Sequence, residues 1–229
     1  MPPAIRIISS MATRHVLADL VAACRLASSH EVAIESVGGV DAGKRVQAGE
    51  AFDGVVLAAH AIDRLIQAGR IVAGSRVDLV KSGVAIAVRA GAAQPDVSSE
   101  EAVKRAVLAA RSLSYSTGPS GVHLAKLFER WGIAETIKSR IVQAPPGVPV
   151  GSLLASGEVE LGFQQLSELM NLSGVTVLGP LPPQIQIITT FSAGVVATSN
   201  QPDAVRALFQ FMSSPAADAA KRSNGMEPG

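Results

Sequence analysis

One cysteine in 229 residues, Cys24, rules out an intrachain disulfide and a thiolate metal cluster. Aromatic side chains are scarce too: six Phe, one Tyr and one Trp supply little for stacking bases or sugars. Neither sign of charge is in excess, since 20 basic and 19 acidic residues leave a net +1. That excludes a chain built to neutralise a nucleic-acid backbone. No apolar run approaches the roughly 18–20 residues of a membrane span. The start, MPPAIRIISS, lacks a charged segment followed by a long apolar one. The sequence as it stands therefore predicts a cytoplasmic protein, or a periplasmic one if a leader was removed. The motifs of phosphate-binding loops and serine nucleophiles are missing. The glycines of Gly38-Gly39-Val40-Asp41-Ala42-Gly43 are misplaced for a dinucleotide loop. His15, His30, His60 and His123 match no metal-ligand spacing, so no metal and no cofactor are expected.

What is present is apolar and periodic. Hydrophobic residues make up 48% and charged residues 17%, which excludes a disordered chain. Short β-branched runs alternate with amphipathic ones. Strands are expected at 4–8, 32–37, 54–57, 84–89, 112–115, 161–164, 175–178 and 193–198. Helices are expected at 13–26, 42–48, 62–68, 99–110, 122–131 and 203–212, with a polar tail from Lys221. This is the rhythm of an α/β fold with a parallel-rich sheet. Changes of pattern near Lys81–Val84 and Ile188–Ala193 predict two lobes, 1–82 plus 192–229 and 83–191, with the chain crossing twice. The default ligand site of such a molecule is a cleft between lobes.

Three strand-to-helix junctions carry small or hydroxylated residues: Ser9-Ser10-Met11-Ala12-Thr13, Val37-Gly38-Gly39-Val40-Asp41 and Ser116-Thr117-Gly118-Pro119-Ser120-Gly121. The first N–H groups of a helix are unpaired and its N-terminal end is positive. Glycine and serine let an anion approach that backbone. Three such junctions together predict a trap for a small anion, although each alone is ordinary capping.

The order of these segments, followed by AGEAFDGVVLAAHAIDRLIQAGRI, YSTGPSGVHLAKLFERWGI and SGEVELGFQQLSEL, resembles the molybdate-type substrate-binding proteins of ABC transporters, including their aconitate isomerase-like subset. The resemblance spans about Ile5 to Met226. It implies the type II periplasmic-binding fold, two-lobed and closing like a hinge on a small anionic ligand, an oxyanion or a small di- or tricarboxylate, with an ABC permease as partner if the protein is exported. It places the ligand contacts at Ser9, Ser10, Ala12 and Thr13, at Gly39 and Val40, and at Ser120, Gly121, Val122 and His123. Further contacts fall at Gly147 or Val148 and at Gln165. The family's hydroxyl-bearing positions fall on Ala12, Gly39 and Gln165, so hydroxyls are lost and the site is enlarged. That favours a di- or tricarboxylate over molybdate, with Arg14 and His123 placed to pair with carboxylates. The alternative function is a cofactor-free isomerase of an unsaturated tricarboxylate such as aconitate, with His123 as acid and base.

Plainer roles are expected for other residues. Asp53 fixes its loop by bonding backbone, and Cys24 is a small core residue. Glu158, Glu160 and Glu168 form a solvated acidic edge. Tyr115 is open between site wall and core edge.

Overall fold

The structure is a computed structural model that describes residues 3–25, 31–144, 148–170 and 172–229. The chain divides into two compact units, Met1–Ser82 with Thr189–Gly229 and Gly83–Ile188.

The first unit opens with β1 (Ile5–Ser10), which passes through a 3-10 turn, Met11–Thr13, into α1 (Arg14–Arg25). Next come β2 (Val32–Val37), α2 (Gly39–Gln47), β3 (Gly54–Ala58) and α3 (Ala59–Gln67). β1 lies between β2 and β3 and is parallel to both, with Ile5 opposite Val32 and Ile7 opposite Gly54. Ile5, Ile7 and Ile8 are buried β-branched residues suited to such a strand. Val16, Leu17, Leu20 and Val21 form one stripe of α1, and it packs on Ile5 and Ile7. Ala42, Val46, Ile62 and Leu65 of α2 and α3 cover Ile8, Val55 and Leu57.

β4 (Val77–Arg89) carries the chain into the second unit. There follow α4 (Glu100–Ala109), β5 (Leu113–Tyr115), α5 (Pro119–Arg130), α6 (Ala134–Ile137), α7 (Val150–Ser156), β6 (Leu161–Gln165), α8 (Leu166–Leu169) and β7 (Val175–Pro180). β5 and β6 are parallel, with Tyr115 opposite Phe163. β4 pairs antiparallel with β6 and with β7. One sheet face, carrying Val84, Ile86 and Phe163, is covered by Leu124, Leu127 and Phe128 of α5. The other carries Ala85 and Ala87 beneath Val150, Leu153 and Leu154 of α7. Gly162 lets α7 settle there, because a Cβ would lie 2.7 Å from Leu154 Cδ1 and 2.8 Å from Val150 Cγ1.

β8 (Ile188–Val195) returns to the first unit and pairs antiparallel with β3. α9 (Pro202–Ser213), α10 (Asp218–Ser223) and β9 (Glu227–Pro228) complete the chain. Val205, Leu208, Phe209 and Met212 of α9 join the cluster under α1.

Several expected boundaries move, each for a local reason. α2 begins at Gly39 and α5 at Pro119, before the expected 42 and 122. Proline at N1 forfeits only an N–H that has no helical partner. The strand expected at 84–89 extends back to Val77, and the one expected at 193–198 is β8, which starts earlier, at Ile188, and ends at Val195. The tail from Lys221 is polar, with Arg222, Ser223 and Glu227 exposed, but its first residue does not face solvent. Lys221 is fully buried and its Nζ donates to Asp218 Oδ1 at 3.2 Å.

Replacing Gly162 by Ala forces α7 off the sheet or displaces Leu154. We expect a loss of about 1–3 kcal/mol in denaturant unfolding with the slope unchanged.

Candidate functional site

In a parallel α/β sheet, ligands gather beyond the carboxyl ends of the strands. In the first unit, β1, β2 and β3 end at Ser10, Val37 and Ala58, and a helical turn starts directly after each. The N-caps of α2 and α3 are Gly38 and Ala58, which provide no side-chain cap. The Ser10 hydroxyl caps its turn only distantly, accepting from the Ala12 N–H at 3.4 Å. Thr13 is buried and donates its hydroxyl to the Ser10 carbonyl at 2.9 Å. Ser9 is buried with its hydroxyl 2.8 Å from that of Ser36, so of the two serines only Ser10 presents its side chain at the strand end. A Cβ on Gly39 would lie 3.4 Å from Ser10 Oγ. The first two junctions therefore meet, and the missing Gly39 side chain leaves space beside the Ser10 hydroxyl. Ala12 is buried, Val40 and Arg14 are exposed, and the half-buried Asp41 is the acidic residue in the first turn of α2.

In the second unit, β5 ends at Tyr115, opposite Phe163, and the parallel β6 runs two residues further, to Gln165. Gly118 is the N-cap of α5 and gives no side-chain cap; Pro119 follows it, and no acidic residue lies in the first turn. Ser120 is buried with its hydroxyl 3.0 Å from that of Ser116. Gly121 is buried, and a Cβ there would lie 1.6 Å from the Ser116 carbonyl oxygen. Only glycine allows α5 to start this close to the end of β5. The expected loop contacts at Ser120 and Gly121 thus lie inside the helix, while Val122 and His123 are exposed on it. Tyr115 is half-buried and packs edge-on against Phe128 at 5.8 Å between ring centres, as a core edge. Val148 is exposed just before α7, and Gly147 lies outside the described residues, as does His30.

Gln165 is buried at the end of β6, opposite Val84. Its neighbour Gln164 faces α7. Gln164 Oε1 accepts from the Gly151 N–H at 3.2 Å, and its Nε2 donates to Glu168 Oε1 at 2.8 Å. Glu168 departs from the solvated edge expected of it: burial pushes its carboxyl up to about 7, against the Gln164 bond, which lowers it. Glu160 does pair at the surface, with Arg111, and Glu158 accepts from Ser156 Oγ at 2.9 Å. Leu166 and Leu169 flank Glu168 in sequence, and that apolar frame is the signal that separates it from Glu158 and Glu160. Asp53 has the expected structural role, accepting from the Arg6 N–H at 2.9 Å and from Ser199 Oγ at 2.7 Å. Cys24 is buried in the core under α1.

The sequence profile of the family described as bacterial extracellular solute-binding protein matches residues 5–227. The chain belongs to that family. An aconitate isomerase of Pseudomonas sp is 40% identical over 187 residues, which is 80% of this chain and 70% of the relative. The periplasmic molybdate-binding protein of Azotobacter vinelandii superposes with a TM-score of 0.81 at 18% identity, covering 97% of this chain and 98% of its own. The sulfate-binding protein SubI of Mycobacterium tuberculosis H37Rv gives 0.79 at 16% identity, covering 99% and 87%. The fold is that of the two-lobed periplasmic binding proteins.

Two outcomes follow from this geometry. Gly121→Ala drives a methyl group into backbone and costs about 3 kcal/mol or more, read by chemical unfolding. Glu168 keeps in the folded state a proton that the unfolded chain releases near 4.5. The stability it contributes is therefore complete below pH 4.5 and is lost as pH rises through about 7. Glu168→Gln removes this loss and gains about 3 kcal/mol relative to the parent at pH 8, measured by unfolding at pH 5 and 8.

Proposed function

We propose that the chain binds a small polycarboxylate, an unsaturated tricarboxylate such as aconitate above all, through backbone N–H groups at its helix starts. The observation that carries this reading is the lack of a side-chain cap at Gly38, Ala58 and Gly118, each next to the carboxyl end of a parallel strand. Those orphan donors and the positive helix ends suit a carboxylate better than any neutral solute. The absence of a side chain at Gly39, where the resembled family has a hydroxyl, leaves room beside Ser10 for a ligand larger than a tetrahedral oxyanion. The 40% identical aconitate isomerase supports the tricarboxylate. A binding protein of this kind has the permease of an ABC transporter as its partner.

The same relative favours a second reading, in which the bound tricarboxylate is isomerised by moving a proton and with it the double bond. That reading needs an acid and base. His123, expected from sequence for this task, stands exposed on α5.

A thermal-shift panel of molybdate, tungstate, sulfate, phosphate, citrate and both aconitates tests the ligand class. Tricarboxylates at a hundred times their Kd should raise the Tm by roughly 5–10 °C. A larger shift with molybdate or sulfate would contradict the reading. Gly39→Val fills the space beside Ser10 and should abolish the tricarboxylate shift while leaving the unliganded Tm within about 2 °C of the parent.

A further inference from the structure

We infer that Glu168 is the group that carries the proton in the isomerisation, held at the carboxyl end of β6 by Gln164 and the start of α7. The inference rests on the isomerase reading above and names the residue that reading lacked.

The argument begins with the Gln164 amide. The Gly151 N–H can only donate, so it fixes Gln164 Oε1 toward α7 and turns Nε2 toward Glu168. Glu168 Oε1 is then always an acceptor. Any proton on this carboxyl sits on Oε2, which no hydrogen bond reaches among the described residues. Glu168 thus has one oxygen anchored and one left for chemistry.

Among the described residues, no charged group competes for it. α7, β6 and β7, which pack around α8, carry no ionisable side chain, and Glu168 is the sole one on α8. With no cation to hold it ionised, burial brings the group to about 7, where both protonation states are populated at neutral pH. That suits a group that must take a proton and give it back. The residue lies three positions after Gln165, in the first turn of α8, which starts at the carboxyl end of β6, and β6 runs parallel to β5.

The step balances without any co-reactant. Ionised Glu168 Oε2 takes a proton from the methylene carbon next to the double bond. The C–H electron pair moves into the new double bond, and the old one shifts its pair toward the far carbon and its carboxylate. Helix-start N–H groups stabilise that developing charge. Glu168 then returns the proton to the far carbon. The product has the same formula, with the double bond moved by one carbon, and nothing is oxidised or reduced.

The test follows trans-aconitate in D2O by proton NMR, reading both conversion to the cis isomer and deuteration of the methylene group. Glu168→Gln still offers an oxygen to Gln164 and removes only the ionisable site. We expect it to keep the citrate-induced thermal shift and to lose conversion and deuteration together by ~100-fold or more. Conversion by this variant within threefold of the parent would overturn the assignment and leave the isomerase reading standing. Loss of the citrate shift along with turnover would make Glu168 a binding residue and overturn it as well. A parent protein that binds both aconitates yet neither converts nor deuterates them would end the isomerase reading and the assignment with it. Should the variant not fold, the parent's pH profile decides. A rate that rises with one ionisation near pH 7 supports the assignment, and a flat profile from pH 5.5 to 8.5 refutes it.

Discussion

Helix starts without acceptors are the constraint on which the rest depends. Most helices place Ser, Thr, Asp or Asn at the N-cap, and the side-chain oxygen quiets the first N–H groups. Here α2, α3 and α5 have Gly38, Ala58 and Gly118 instead. Their N–H groups have to be satisfied from outside, by water or by a ligand. An anion answers that need best, because it meets the donors and the positive end of each helix at once. A chain with a net charge of only +1 can hold negative charge this way, and its specificity then comes from where the donors point.

The sheets supply that aim. Within each unit, taken by itself, the strands that precede the uncapped helices are parallel to their neighbours, so their carboxyl ends point the same way. Close backbone approach keeps the edge rigid. Gly121 brings α5 against Ser116, and Gly162 lets α7 lie on the sheet. Gln164 then ties α7 to α8 through two hydrogen bonds that use both ends of its amide. A partly buried carboxyl at the end of such a tie is costly to ionise.

Much of this was legible in the sequence. β2 matches its expected limits, 32–37, and the α1 stripe of Val16, Leu17, Leu20 and Val21 packs as its spacing requires. Helix starts were less legible. Glycine and proline at 38–39 and 118–121 read as loop residues, yet proline at N1 and glycine in a first turn both suit a helix. That error matters, because it moves Ser120 and Gly121 from an open loop into a packed first turn. Ser9 and Ser10 look alike in sequence, and the strand's alternation buries one hydroxyl against Ser36 and leaves the other at the edge. Glu168 departs from the solvated edge expected of it because composition marks a charge as solvated, and only tertiary packing shows the burial that raises its carboxyl.

The central claim is that neutral backbone donors at the helix starts hold the ligand. Amide chemical shifts in an isotope-labelled sample, followed during titration with trans-aconitate, test it most directly. The account predicts the largest changes at the Gly39 and Ser120 N–H signals and their helix-start neighbours. Saturating binding with those signals unmoved, and with the changes elsewhere in the chain, would contradict it.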